Sequence, residues 1–525
     1  MAVPADDGPS DVDVERSGRS ATLVAAAILA SKLVGLVRHR VTAHFFGTSI
    51  FADVVVAAFR IGNIAQNLLG EGTLSATFIP IYGRLKASGQ IDEANRFARV
   101  ALGGLLALVS ALTAAGILAA PLLTRLIAGG FDPHRLALTE SLVRWLFPMT
   151  GTLVLCAWGL GVLNANRRFF ASYAAPVLWS LCQIGTLLIA GGIFGATDMR
   201  LAYALAGGAF LGATIELGFL LQRARRFVRP LTPRFSRTNP HLREAARRLP
   251  EVLLGRGVIL ISGLVDTALV TFLGSGALAV FGYAQTLYLL PMSVVGTGEA
   301  AVSLTDMSAD SAIEEKAARS VNIRRRLTHS FTRILALAIP AMVVLIFFGH
   351  ELAAVLFQTG RFDAQSTARV GEVVRLYGFA LVGNASVRLM ATTFFALGET
   401  RLPARFAVVR VVTSTALSLL LMQRFGVAGV VAGAMLAGWI QALLLGAKLR
   451  RRLHGLGLAL VPWWRLLGLV AVTMVPPFAL RFALSTAAVG PRLGSLLILG
   501  SAALAFVVGA LAFDLLGLRR LLRRR

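Results

Sequence analysis

Basic side chains interrupt an apolar stretch near the start of the chain, in the segment SKLVGLVRHR. Helical spacing places most of its small and polar positions on one face: Ser31, Lys32, Gly35, Arg38 and His39. A charge within a membrane costs about 3 kcal/mol or more, so we expect this face to point into a protein interior or a water-filled cavity. Arginine donates two parallel hydrogen bonds to a phosphate, and the face is therefore predicted to bind a phosphate or pyrophosphate group.

Further polar residues interrupt other apolar segments of the chain. The candidates in the following segment are Asp53, Arg60, Asn63 and Glu71, and the later ones are Arg256, Thr286 and Arg388. Cations outnumber carboxylates in the combined set, which favours an anionic ligand. Asp53–Arg60 and Arg256–Asp266 are alternatively internal salt bridges that hold helices together, and both interpretations stay open at this stage.

The composition indicates a membrane protein that crosses the bilayer many times. Of 525 residues, 56% are hydrophobic and only 15% are charged, and the mean hydropathy is +0.73. Apolar runs such as VVAGAMLAGWIQALLLGA are near the length of about 20 residues that spans a bilayer. The net charge of +26 does not indicate nucleic-acid binding, because the basic residues lie between apolar runs, where they determine topology. Cys156 and Cys182 lie in apolar segments and indicate neither a disulfide framework nor a metal site.

We predict an all-α polytopic membrane protein of about fourteen transmembrane helices. Their expected ranges are 21–44, 50–84, 96–121, 138–166, 172–195, 199–222, 246–274, 277–307, 327–349, 366–397, 402–422, 427–447, 463–485 and 493–517. Gly62, Gly70 and Gly72 favour a bend in the second helix. Lysine and arginine cluster after the even-numbered helices, which places both termini in the cytoplasm.

An internal repeat divides the predicted helices into two pseudo-symmetric six-helix lobes and a C-terminal pair. Phe131–Asp132 aligns with Phe362–Asp363, and Val143–Arg144 aligns with Val374–Arg375. An even number of helices per lobe gives parallel repeats, in which substrate binds between the lobes and their rocking alternates access. The predicted divisions are a disordered cytoplasmic tail (1–20), an N-lobe (21–225), a basic linker (226–245), a C-lobe (246–452), the helix pair (453–518) and a basic cytoplasmic tail (519–525).

The segment from SKLVGLVRHR to LLGEGTLSATFIPIYGRL resembles the MurJ/MviN family, the lipid II flippases of bacterial peptidoglycan synthesis within the MOP exporter superfamily. The resemblance implies that Arg38 contacts the lipid pyrophosphate and that Lys32 replaces a second family arginine. It also implies site roles for Asp53, Arg60, Asn63 and the Glu71–Gly72 pair.

The chain departs from the family pattern at several positions. Gln66 stands where the resemblance implies an arginine, and His39 stands where it implies an acid. In helix eight, YAQTLYLLP replaces a pattern with aspartate and arginine, so that Thr286 takes the arginine position. Arg256 or Arg388 would then have to supply charge from other helices. A divergent paralogue that exports another polyprenyl-linked saccharide or a small molecule is the alternative.

The resemblance implies a lipid II flippase of the bacterial inner membrane rather than an enzyme. Its expected partners are lipid II or a related glycolipid, membrane lipids and cell-wall synthesis proteins. No cofactor is expected, and the membrane potential or an ion gradient would drive the cycle. Three other function classes fit these residues less well. A MATE-like exporter normally binds cations through carboxylates, whereas cations predominate in this set. A membrane enzyme would show paired acids or metal ligands, and a non-transporting scaffold would not need buried charge.

Overall fold

The computed structural model describes residues 11–236, 238–311, 316–453, 455–456, 461–485 and 490–514, and no β-strand occurs in these ranges. The helices are α1 (Asp11–Phe46), α2 (Ile50–Leu69), α3 (Glu71–Thr77), α4 (Ile79–Ala87), α5 (Ile91–Leu118), α6 (Ala120–Ile127), α7 (Pro133–Ala165), α8 (Phe169–Leu187), α9 (Asp198–Ala224), α10 (Pro240–Thr271), α11 (Ala277–Ser311), α12 (Lys316–Phe357), α13 (Ala364–Ala396), α14 (Arg401–Arg452), α15 (Trp463–Ser485) and α16 (Pro491–Phe513). A π-helical turn, Leu188–Ile193, continues α8. The all-α prediction is confirmed.

Helix breaks occur close to the predicted positions. The second predicted helix is divided into α2, α3 and α4, and the first break is at Gly70. The two predicted helices at 402–422 and 427–447 are the halves of α14, which separate at Gly426. Gly426 has a φ of 56°, in the left-handed region that glycine adopts without a steric penalty.

α1 begins at Asp11, within the stretch 1–20 that the sequence predicts to be a tail. Acidic residues at 11, 13 and 15 complement the positive end of the helix dipole and favour helix in this stretch. Residues 1–10 and the predicted tail 519–525 lie outside the described residues.

Nine helices of the described ranges are long and apolar enough to cross a membrane, judged by length and composition. They are α5, α7, α8 with its π turn, α9, the part of α12 from Val321, α13, α14, α15 and the part of α16 from Arg492. α1, α2, α10 and α11, which carry most candidate site residues, are not among the nine. The chain is therefore a polytopic membrane protein, and the count of fourteen spans stays a prediction.

Unit 1 contains Val54–Ala128, Asp132–Leu260 and the described residues up to Phe45. Its core packs α3, α4, α5 and α7 around large aromatic side chains, among them Phe78, Phe97 and Trp158. The indole N–H of Trp158 donates to the carbonyl of Ala98 at 3.0 Å. Burying these rings stabilises the unit by about 2–3 kcal/mol for each side chain.

The basic linker after α9 lies against unit 1. Arg234 donates its backbone N–H to the carbonyl of Arg99 at 3.0 Å, and Arg99 donates in turn to Thr232. Glu244 accepts hydrogen bonds from Arg84 and Arg248 at 2.7 and 2.8 Å, and the bond from Arg84 holds the pKa of this carboxyl below its usual value. These contacts lie within unit 1, which extends along α10 to Leu260.

Unit 2 contains Ile261–Arg525 together with two short segments, Phe46–Asp53 and Gly129–Phe131. In its core, α12 and α13 pack against α11 and α14. The C-terminal pair, α15 and α16, packs on α12 through Phe348, Met474 and Ile498. The two short segments differ from the predicted lobes because their hydrogen-bond partners lie in unit 2.

The repeat detected in the sequence has a structural counterpart at two helix starts. Asp132 accepts a hydrogen bond from the backbone N–H of Arg135 at 3.0 Å, and Asp363 accepts one from that of Ser366 at 2.7 Å. Each aspartate is the N-cap of the helix that follows, α7 or α13. The aligned pairs therefore do the same structural task in the two units.

We expect Asp363→Ala to destabilise the protein by about 1 kcal/mol, because α13 loses its cap. The backbone N–H and the side chain of Ser366 lower the pKa of Asp363 from its ordinary value. The charge therefore stabilises the protein fully above the unfolded-state pKa of about 3.9, and the effect is lost as the pH falls through the lower folded-state pKa. Thermal midpoints between pH 7 and pH 3 would show the difference from the variant shrink below about pH 4. Asp363→Asn retains a capping oxygen without the charge and is the control, and a difference unchanged at pH 3 would contradict this.

Candidate substrate-binding site

Arg38 of α1 lies against the indole of Trp179 in α8. Its guanidinium carbon is 4.7 Å from the ring centroid, within the range of a cation–π interaction. Trp179 is fixed in turn by its N–H, which donates to the carbonyl of Ala209 in α9 at 3.1 Å. The charge is therefore positioned by two neighbouring helices and by its own.

The predicted basic face of α1 is partly brought together. Arg38 Nη2 lies 3.3 Å from His39 Nε2, and because arginine only donates, this ring nitrogen is the acceptor of the hydrogen bond. Ser31 is half-buried like Arg38, whereas Lys32 is exposed on unit 1. In the part of the chain that the structure describes, His39 is the only hydrogen-bond partner of the Arg38 guanidinium. Its remaining N–H donors are available to an anion.

α2 carries the next candidates, also within unit 1. Arg60, Asn63 and Gln66 are half-buried along it. The carbonyl of Gly62, beside Asn63, accepts from Thr150 of α7 at 2.7 Å. Asn63 Oδ1 is buried without a hydrogen-bond partner among the described residues, which is unusual for a buried polar atom. The side chains of Glu71 and Arg256 lie outside the described residues.

Asp53, which the resemblance implies is a site residue, caps a helix in unit 2. Its side chain is 0% exposed, and its two oxygens accept from the backbone N–H groups of Gly276 at 2.6 Å and Ala279 at 2.8 Å. It thereby caps the start of α11, 223 residues further along the chain. A Cβ on Gly276 would overlap the carbonyl of Thr48, so this position requires glycine. Thr48 adds a hydrogen bond of 2.8 Å to Ser366 within the same unit.

Unit 2 holds the remaining candidates and several polar residues that the sequence did not single out. Thr286 is half-buried, and its hydroxyl donates to the carbonyl of Gly282 in its own helix at 2.9 Å. Arg388 is exposed on α13. The additional residues are Tyr288, Arg410 and Gln441. The sequence signal for Arg410 was that it is a single arginine inside the apolar stretch FAVVRVVTSTALSLLL.

An apolar cavity of about 410 Å³ lies in unit 2, between α11, α12, α15 and α16. Its lining includes Leu287, Pro291, Leu337, Pro340, Leu499 and Phe506. Thr473 provides the lining's polar side chain. Walls of this kind bind hydrocarbon in preference to a polar group.

Comparisons with known proteins identify the family. The family model described as lipid II flippase MurJ matches residues 42–490. A probable lipid II flippase MurJ of Rhizobium tropici is 31% identical over 435 residues, which are 82% of this chain and 80% of the relative. One of Rhizobium meliloti (strain 1021) is 30% identical over 438 residues, with the same two coverages.

Solved structures share the fold. A lipid II flippase MurJ in an inward closed conformation gives a TM-score of 0.75 at 20% identity and covers 95% of this chain and 100% of that chain. An inward-facing multidrug MATE transporter of the MOP superfamily gives 0.63 at 17% identity, with coverages of 82% and 94%. The resemblance inferred from the helix-one and helix-two motifs is confirmed. Because the family model spans most of the sequence, the chain belongs to the MurJ family of lipid II flippases.

Proposed function

We propose that this protein moves lipid II from the cytoplasmic to the outer leaflet of the bacterial inner membrane by alternating access. Lipid II is an undecaprenyl-pyrophosphate-linked disaccharide-pentapeptide, so its carrier must receive a doubly charged head and a long hydrocarbon tail. Family membership supports this substrate. The basic connections after even-numbered helices support cytoplasmic termini.

The observation that carries the proposal is that the Arg38 guanidinium is held in place and still has N–H donors without a partner among the described residues. The indole of Trp179 holds the guanidinium in place without accepting a conventional hydrogen bond from it. With only His39 bound, the planar group retains donors for the pyrophosphate. Lys32, Arg60 and Asn63 of the same unit are the further head-group residues in this proposal. The membrane potential or an ion gradient would reset the carrier, since moving one charge through 100 mV is worth about 2.3 kcal/mol.

The apolar cavity of unit 2 is the proposed site for part of the tail. Its volume of about 410 Å³ accommodates several isoprene units, and burying their surface contributes about 25 cal/mol for each Å² removed from water. The C-terminal pair, α15 and α16, supplies one side of this site. In this proposal the C-terminal pair helps to bind the tail, a role separate from those of the two repeated lobes.

Replacement of the native flippase tests the proposed function. In a strain depleted of that flippase, this gene as the only replacement should restore growth and the appearance of lipid II that is accessible to an externally added hydrolase. Failure with verified membrane insertion would contradict lipid II as substrate. It would favour the paralogue that exports another polyprenyl-linked saccharide, for which the uncharged Gln66 and Thr286 are the specific observation.

We expect Ala503→Trp to reduce lipid II transport severalfold in the same strain. Ala503 lines the apolar cavity, so an indole there should fill space that the tail needs. Leu504→Trp is the matched control, because Leu504 is on the same helix, is 68% exposed and does not line the cavity. Equal transport by the two variants, at equal abundance in the membrane, would contradict the proposal that the cavity binds the tail.

A further inference from the structure

Arg410 places a positive charge in the apolar first half of α14, where a charge is energetically unfavourable. It lies about ten residues from the start of the helix and is half-buried. Its Nη1 donates to the side-chain oxygen of Gln441 at 3.4 Å, which is a long hydrogen bond. Gln441 is 6% exposed, so the guanidinium is beside the interior of the unit. An arginine at this depth needs a stronger partner than one amide.

Tyr288 of α11 provides a second donor in the same part of unit 2. Its hydroxyl oxygen accepts from Asn384 Nδ2 of α13 at 2.8 Å, which leaves the hydroxyl hydrogen to donate elsewhere. The ring is 7% exposed and is stacked on Tyr377 with centroids 4.9 Å apart. Asn384 Oδ1 is buried without a hydrogen-bond partner in the described part of the chain. A Cβ on Gly438 would be 2.8 Å from this oxygen and 4.0 Å from Arg410 Nη2, so Asn384 and Arg410 border the same glycine.

Arg388 supplies the second cation. It follows Asn384 by four residues on α13, so the two side chains share a face. It is exposed on unit 2, and its guanidinium makes no hydrogen bond or ion pair with the described residues. Arg388 and Arg410 both act electrostatically on Tyr288. An unpaired arginine in a spanning helix is tolerated where water or an anionic ligand reaches it.

A structural ion pair explains less of this arrangement. Asp266 of α10 is the carboxylate within electrostatic range of Arg410. A single carboxylate does not neutralise two guanidinium groups, and the hydrogen bond that Arg410 makes goes to Gln441. Locking helices together would also not account for the unused hydroxyl hydrogen of Tyr288. A group with several acceptor oxygens satisfies all three donors.

We propose that Arg410, Arg388 and Tyr288 form a phosphate-binding site of unit 2 that receives the pyrophosphate of the substrate. This inference rests on the proposed function and assigns residues to its head-group recognition. Thr286, two residues before Tyr288 on α11, carries no charge, so the cations of this site come from α13 and α14 instead. The ligand class is a phosphate diester or pyrophosphate with a polyprenyl chain.

Binding to the purified full-length protein tests the site, with undecaprenyl pyrophosphate as the probe and undecaprenol as the uncharged comparator. Arg410→Gln should weaken binding of the pyrophosphate about tenfold or more and leave undecaprenol binding unchanged, because only the phosphate uses the guanidinium. Arg424→Gln is the matched control, since Arg424 is exposed on the same half of α14. Arg410→Lys retains the charge but not the planar fork and should give an intermediate loss.

A further variant keeps the test decisive if Arg410→Gln is unstable. Arg388→Gln changes an exposed side chain, should fold normally, and should show the same selective loss, with the exposed Arg375→Gln of α13 as its control.

The outcomes separate this inference from the proposed function. Wild-type protein that binds the pyrophosphate, with Arg410→Gln and Arg388→Gln equal to it, overturns the unit 2 site alone. A loss that extends equally to undecaprenol also overturns it. Wild-type protein that does not bind undecaprenyl pyrophosphate overturns the proposed function as well.

Discussion

Arg38→Ala should abolish growth of a strain in which this protein is the only lipid II flippase. The change removes the guanidinium that Trp179 holds in place and whose donors are available to the pyrophosphate. Each charge-assisted hydrogen bond contributes about 1.5–3 kcal/mol, so loss of two corresponds to more than a hundredfold in affinity. Growth and externally accessible lipid II are the measurements, with membrane abundance determined in parallel.

The neighbouring arginine provides the control for this experiment. Arg40→Ala removes an exposed cation two residues further along α1 and should leave growth near normal. Arg38→Lys keeps a charge but not the bidentate geometry or the full stacking on the indole, and partial growth is expected. Normal growth of a well-expressed Arg38→Ala variant would exclude Arg38 from head-group recognition.

Asp53→Ala should produce the largest loss of stability among single substitutions of the predicted site residues. It leaves the N–H groups of Gly276 and Ala279 buried without their acceptors, and each unsatisfied group costs about 1–3 kcal/mol. The start of α11 also loses a negative charge near its positive dipole end. The thermal midpoint and the abundance of the purified protein should both fall.

An aspartate with a similar position but no buried partners shows whether the cap is the cause. Asp92 lies in the first turn of α5 and is exposed, so Asp92→Ala should change the thermal midpoint little. Asp53→Asn offers one acceptor oxygen to two donors and should be intermediate. A midpoint for Asp53→Ala equal to that of Asp92→Ala would show that the cap contributes little.

The sequence was sufficient to predict the all-α class and most of the long helices, because long apolar runs and glycines are local signals. The breaks at Gly70 and Gly426 follow from residues within one or two turns of them. The repeat was equally readable, since the aligned pairs ending in Asp132 and Asp363 mark two N-caps. The family motif in helices one and two added Arg38 as the head-group candidate.

Partners distant in sequence were beyond prediction from spacing alone. Asp53 and Arg60 share a helical face, which suggested a pair, but Asp53 is bound by N–H groups more than 200 residues away. Trp179 carries no motif that connects it with Arg38, and only the packing of α8 reveals the contact. Of the two cations of unit 2, the sequence indicated Arg388 but not Arg410. A lone arginine in an apolar stretch resembles a topology signal, and only the structure shows its neighbours on α11 and α13.

The contact between Arg38 and Trp179 has an optical consequence. Indole fluorescence responds to nearby charge, and the guanidinium carbon is 4.7 Å from this ring. An anion that binds Arg38 alters the field at the fluorophore without needing a label. The chain has six tryptophans, so the emission difference between the protein and its Trp179→Phe variant isolates this one. Titration of that difference signal would report occupancy of the Arg38 site in real time, with unmodified lipid as the ligand.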